Sequence, residues 1–140
     1  MKQQKFIATI FSSIVLSMVF VKMFEGMAHR LNPSLSTLDR NDMNSIFEYW
    51  SNLPTVSIVF MLIAHFAGMA FLVLMASYMS KQLIVEKKDL AIKISAAVVM
   101  IYVVMSLIRL PHPMIMNIAD PIVTVLGYFA GKKLVDIWIS

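Results

Sequence analysis

Apolar residues in this chain gather in four long blocks separated by polar stretches, and none of the blocks alternates apolar with polar positions. The clearest block runs from Thr55 to Met79, carries no formal charge, and holds one imidazole, His65, near its middle. A helix rises ~1.5 Å per residue, so a run of this length outreaches the ~30 Å hydrocarbon core of a bilayer. Similar blocks cover residues 6–24, about 90–110 and about 114–134. The pattern predicts an all-α polytopic membrane protein, with four transmembrane helices in an up-down bundle that forms a single domain over residues 1–140. A transmembrane barrel would instead alternate apolar and polar residues along short strands.

The first block is read as an uncleaved transmembrane helix. It is long for a secretory signal, Lys22 interrupts it, and no small-x-small cleavage site follows. The longest polar segment, Glu25 to Pro54, contains the Asn32-Pro33 break and a turn-rich stretch from Ser34 to Asn44. Ser45 and Glu48 have the spacing of a capping box, which predicts a short interfacial helix bearing Ile46, Phe47, Tyr49, Trp50 and Leu53. Lys81 to Asp89 reads as a tight charged connection, and Pro111-His112-Pro113 as the last turn.

Composition sharpens the picture in three ways. With 59% hydrophobic and 14% charged residues and a mean hydropathy of +0.78, the chain leaves no room for a second, soluble domain. The formal charge of +4 belongs to residues flanking the apolar blocks, so it speaks for membrane orientation and against nucleic acid as a partner. The absence of cysteine excludes disulfides, thiolate catalysis and thiolate-bound metals. The 13 methionines lie largely in the apolar blocks without a Met-x-x-Met repeat, so packing accounts for them better than a copper path.

Eight Lys residues (2, 5, 81, 87, 88, 93, 132 and 133) lie on one side of the predicted bundle, against Lys22, Arg30, Arg40 and Arg109 on the other. By the positive-inside rule both termini of this inner-membrane protein are expected in the cytoplasm, with residues 25–54 facing outward.

Polar residues inside the blocks recur at helical spacing. Pro113, Asn117, Asp120, Thr124, Gly127 and Gly131 share one face of the last helix, and Ser95, Tyr102, Ser106 and Arg109 share one face of the third. Ala64, His65 and Gly68 form a small or polar wedge in the second, while Lys22, Glu25 and His29 close the first. Counted along the helices, Asp120, Tyr102 and His65 come out ~10, ~12 and ~15 Å deep. The expectation is a polar core of His65, Tyr102, Arg109, Asn117 and Asp120, with Glu25, His29 and His112 at the outer rim and Gly68, Gly127 and Gly131 packing helices together. Asp120 is the residue hardest to explain by packing, because a carboxylate at that depth must meet a cation or stay protonated. Two partners are open to it: His65, which would make a proton-carrying pair, and Arg109, which would make a structural ion pair. Glu25 and His29 stand one turn apart, as a metal pair requires, and His65, His112 or Asp120 would complete a zinc-type set. The sequence itself specifies no cofactor.

The layout resembles a group of small four-helix bacterial inner-membrane proteins with no assigned activity. The similarity rests on Glu25, His29 and Pro33 closing the first helix, Leu53-Pro54 opening the second, Ala64 and Gly68 within it, the Leu110-Pro111-His112-Pro113 turn, and Gly127 and Gly131. It implies four helices and supplies no function. The small multidrug-resistance exporters also use four helices and a membrane glutamate, but Glu25 lies at a helix end and the charge asymmetry opposes dual insertion.

Three functional expectations follow, in order of preference. The first is a non-catalytic interaction or accessory subunit, oligomeric or bound to a membrane-protein partner within the lipid bilayer. The second is a small proton- or ion-coupled transporter using an Asp/His pair, and the third a metal-dependent membrane enzyme at the outer face. The expected orientation is directly testable in this cysteine-free chain. An impermeant thiol reagent applied to intact spheroplasts should label Ser36→Cys and spare Gln82→Cys, and the opposite pattern would reverse the topology.

Overall fold

The computed structural model describes residues 2–138. It is all-helical, with α1 at Lys2–Arg30, a 3-10 turn at Pro33–Thr37, α2 at Met43–Ser51, α3 at Thr55–Met79, α4 at Val85–Arg109 and α5 at Met114–Trp138. Four of these helices are long and apolar enough to cross a membrane, as a multi-pass membrane protein requires. Their outward surface is apolar too: Phe11, Ile63, Ile101, Ile118 and Phe129 are all exposed. That is the surface a lipid solvent calls for, since lipid tails are as apolar as the side chains that meet them.

Three of the long helices outrun the apolar blocks that predict them. α1 continues through the polar residues Glu25–Arg30, because nothing opposes helix until Pro33. There Asn32 turns extended, and its side-chain oxygen accepts from the Ser34 N–H at 3.1 Å. α4 begins at Val85 instead of residue 90, since Glu86, Lys87 and Lys88 are good helix formers and Glu86 suits the first turn. The connection before it therefore shrinks to residues 80–84. α5 reaches Trp138 and runs straight through Pro121, whose missing N–H leaves the Asn117 carbonyl without its helical partner.

The cap of α2 also differs from expectation. Asp42, not Ser45, caps the helix, accepting from the Asn44 N–H at 3.0 Å, while the Ser45 hydroxyl accepts from the Asp39 N–H. A carboxylate three residues earlier satisfies the free first-turn donors before the capping box can form.

α3 is the central stave, packed mainly against α5 and α1, with α4 lying across α1 and α3. Its contact with α5 depends on missing side chains. A Cβ on Gly127 would stand 2.3 Å from the Phe66 carbonyl oxygen, and one on Gly131 would stand 2.8 Å from that of Ala70. Both glycines are thus used for helix approach within the chain. Gly68 serves the α1 contact in the same way, with Val21 Cγ2 2.1 Å from where a Cβ would be. Serines reinforce that seam: Ser17 donates to the Gly68 carbonyl and Ser57 to that of Ala28, each at 2.8 Å. Ser13 and Ser95 share a hydrogen bond of 3.1 Å between α1 and α4.

The core is divided along the bundle axis. One apolar cluster joins Met69, Leu72, Val73, Ala76, Ile92, Val99 and Val135, and another joins Ala28, Tyr49, Leu53, Ile58, Met61 and Met116. Between these clusters α3 carries the polar residue His65, and α5 carries the buried Asp120 and Thr124.

Two glycine substitutions test this packing. Gly127→Ala should destabilise the bundle by about 1–3 kcal/mol, because the new methyl meets backbone that cannot yield. Gly26→Ala meets nothing within 4 Å and should stabilise it by about 0.5–1 kcal/mol. Thermal unfolding in mild detergent reads both, and equal melting temperatures would remove Gly127 from the packed seam.

Candidate functional site

His65 sits between two acids supplied by two other helices. Its Nε2 lies 2.7 Å from Glu25 Oε1 on α1, and its Nδ1 is hydrogen-bonded to Asp120 Oδ1 on α5. Each element places its residue by simple register. Glu25 is the fifth position in a four-residue stripe, Thr9, Ser13, Ser17, Val21, Glu25, of which the first three are buried. Asp120 continues into Thr124, Gly127 and Gly131, the buried face of α5, and the Thr124 hydroxyl donates to the Asp120 carbonyl at 2.8 Å. The Asp120 side chain is 2% exposed, while those of His65 and Glu25 are 12% and 13% exposed.

Charge at the site is balanced by Lys22, one turn before Glu25, whose Nζ lies 2.5 Å from Glu25 Oε2. The same ammonium stands 5.7 Å from the centre of the Tyr102 ring, a cation–π contact from α1 to α4. Proton counting then defines the chemistry. Two hydrogen bonds from one imidazole to two carboxyl groups require two protons among the three residues. Both can sit on an imidazolium, or one can move onto Glu25 or Asp120 and leave the ring neutral. All three arrangements carry a net charge of −1, which Lys22 cancels. A proton can therefore occupy any of these positions without changing the trio's total charge.

Beside the trio is a cavity of about 20 Å³ lined by Ser17, Lys22, His65, Tyr102 and Thr124 among others. That is room for one water molecule.

Above the trio, the two rim histidines are covered from α2. His29 Nδ1 is 2.7 Å from the Tyr49 hydroxyl, and Trp50 packs edge-on to His29 and tilted against His112 with ring centres 5.1 and 4.8 Å apart. His112 donates through Nδ1 to the Leu110 carbonyl at 3.0 Å. Burial pushes its imidazole below the usual range, against the smaller upward pull of that hydrogen bond, so the ring stays neutral. Burial likewise raises the Tyr49 phenol.

Of the polar-core residues expected from sequence, His65 and Asp120 are brought together and Tyr102 borders them through Lys22. Asn117 and Arg109 are exposed and take no part. Arg109 is the last residue of α4, whereas Asp120 lies well inside α5, so the alternative Asp120–Arg109 pair is not formed. Glu25 is not a rim residue: the extra turns of α1 and its long side chain carry it to His65. Glu25, His29 and His112 do not converge, and among the described residues no three His, Asp or Glu side chains are grouped to hold a metal ion. His65 spends its two nitrogens in opposite directions, which spaces the acids apart instead of gathering donors around one point.

Sequence reasoning missed Lys22, Tyr49 and Trp50 as members of the site. The four-residue stripe on α1, read back from Glu25, would have pointed to the buried face. The cover by α2 depends on tertiary packing alone. No family model matches the chain, and no curated protein or solved structure is significantly similar to it.

Removing the imidazole should expose the cost of the acids. His65→Ala is expected to destabilise the bundle by about 3–5 kcal/mol by leaving buried carboxylates without their partner. Adding Asp120→Asn to that variant should recover part of the loss. Unfolding in mixed micelles measures both, and an unchanged stability in His65→Ala would mean that the trio does not tie the helices.

Proposed function

We propose that this chain is a small proton-coupled transporter of a cell inner membrane, with Glu25, His65 and Asp120 as its titrating unit. One observation carries the reading: both nitrogens of a single membrane-embedded imidazole engage carboxyl groups from different helices. A proton delivered to Glu25 passes to His65 Nε2 as the Nδ1 proton moves to Asp120. Because the three residues belong to α1, α3 and α5, each transfer also changes which helices are held by a charged hydrogen bond. That is a physical basis for coupling proton occupancy to helix movement. Lysine and arginine placement supports an orientation with both termini in the cytoplasm and Glu25 reached from outside.

The reading of the chain as an accessory subunit, alone or oligomeric, keeps one specific support. The space beside the trio is only about 20 Å³, so the ionic cluster also suits a purely structural tie between helices. Reaction at a bound metal receives less support, since the rim histidines are engaged by Tyr49, Trp50 and the Leu110 carbonyl.

Proton flux separates the two. In liposomes containing a pH-sensitive dye, a potassium diffusion potential should drive proton entry through the parent protein. Asp120→Asn should lower that flux about 100-fold, the scale on which a positioned acid–base group matters. No flux in the parent, or equal flux in the variant, would leave the structural tie as the function of the trio.

A further inference from the structure

A larger cavity lies on the far side of His29 from the trio, framed by the end of α1, the 3-10 turn and α2. Its volume is about 510 Å³, and Arg30, Arg40, Leu35, Leu38, Tyr49 and Trp50 are among the residues that line it. Its walls are mainly apolar, yet it carries two guanidinium groups. Neither has a hydrogen-bond or ion-pair partner among the described residues. Asp39 and Asp42 direct a carboxylate oxygen to backbone instead, accepting from the Asn41 N–H at 2.9 Å and the Asn44 N–H at 3.0 Å.

The apolar block of α1 ends at Phe24, and six more helical residues carry the chain ~9 Å beyond it to Arg30 at the cavity wall. That height corresponds to the headgroup layer, where tyrosine and tryptophan also concentrate. Unpaired arginines there are forks without a planar anion, and phosphate oxygens match them in pairs. An apolar wall beside them suits what hangs from a lipid phosphate, namely glycerol and the first methylenes of an acyl chain. The volume falls within the range of built small-molecule sites.

We infer that this cavity binds one anionic phospholipid, with its phosphate between Arg30 and Arg40 and its glycerol end against Leu35 and Leu38. The inference does not rest on proton transport, since no part of it uses the Glu25–His65–Asp120 trio.

Native mass spectrometry of the full chain, released from mild detergent with added phosphatidylglycerol or phosphatidylcholine, tests it. The parent should retain one phosphatidylglycerol and lose phosphatidylcholine. Phosphatidylglycerol should also raise its melting temperature more than phosphatidylcholine does. The Arg30→Gln/Arg40→Gln variant should bind phosphatidylglycerol about 30-fold more weakly, the combined effect of two membrane-surface cations. A Lys87→Gln/Lys88→Gln variant, changed at the other end of the bundle, should bind like the parent. Equal retention of both lipids by the parent would overturn the site whether or not the arginine variant folds. So would undiminished binding in the arginine variant, or displacement of the lipid by millimolar inorganic phosphate, which would mark a free-phosphate site.

Discussion

Taking a carboxylate out of water costs several kcal/mol even after the surroundings relax, and a bilayer offers no water to reduce that cost. This bundle places two carboxylates within reach of one imidazole, then adds an ammonium to bring the group to neutrality. Much else follows from meeting that requirement. α1 must extend far enough to carry Glu25, α5 must present Asp120 to the same side as its glycines, and α3 must lie between them. The apolar clusters on either side isolate the trio, so its hydrogen bonds are made in surroundings where they are strong and where leaving one unmade is expensive.

The architecture was legible because its driving pattern is coarse. An uncharged block such as Thr55–Met79 can hardly be anything except a spanning helix, and α3 has the predicted bounds. The ends were harder to read, since hydrophobicity marks the part of a helix in lipid and not the part that continues beyond it. Glu25 shows the consequence. Placed at a rim by an apolar count that stops at residue 24, it belongs to a helix that ends at Arg30. Helical spacing correctly put Asp120, Thr124, Gly127 and Gly131 on one buried face, but it included Asn117, which is exposed. A spacing of three or four residues defines an arc and not a line, and only packing decides where the arc meets a neighbour. Which helix faces which is equally invisible to spacing, so His65 and Arg109 stood level as partners for Asp120 until the fold separated them.

The polar segment before α3 has a larger part than a connector. Its aromatic residues close over His29 and His112, and its turn and arginines frame a cavity with the end of α1. Two sets of groups with different chemistry thus lie near the end of α1. One set is the charge-balanced group of Glu25, His65, Asp120 and Lys22, and the other is the pair of arginines lining the cavity. Tyr49 and Trp50 line that cavity and also contact His29.

The glycine seam also has a mechanical consequence. Where α3 and α5 meet at Gly127 and Gly131, main chain touches main chain, and sliding or rolling at that line would drive carbonyl oxygens into carbon. α1 is latched to α3 by serine hydroxyls bonded to carbonyls, at Gly68 and at Ala28. Among the described residues α4 has neither device toward α3; it leans on side chains, one shared serine pair with α1, and the Lys132–Asp89 bridge to α5. The four helices are therefore fastened to one another in different ways. Main-chain contacts and serine latches join α1, α3 and α5, whereas α4, which carries Tyr102 beside Lys22 and the water-sized space next to His65, is held through side chains.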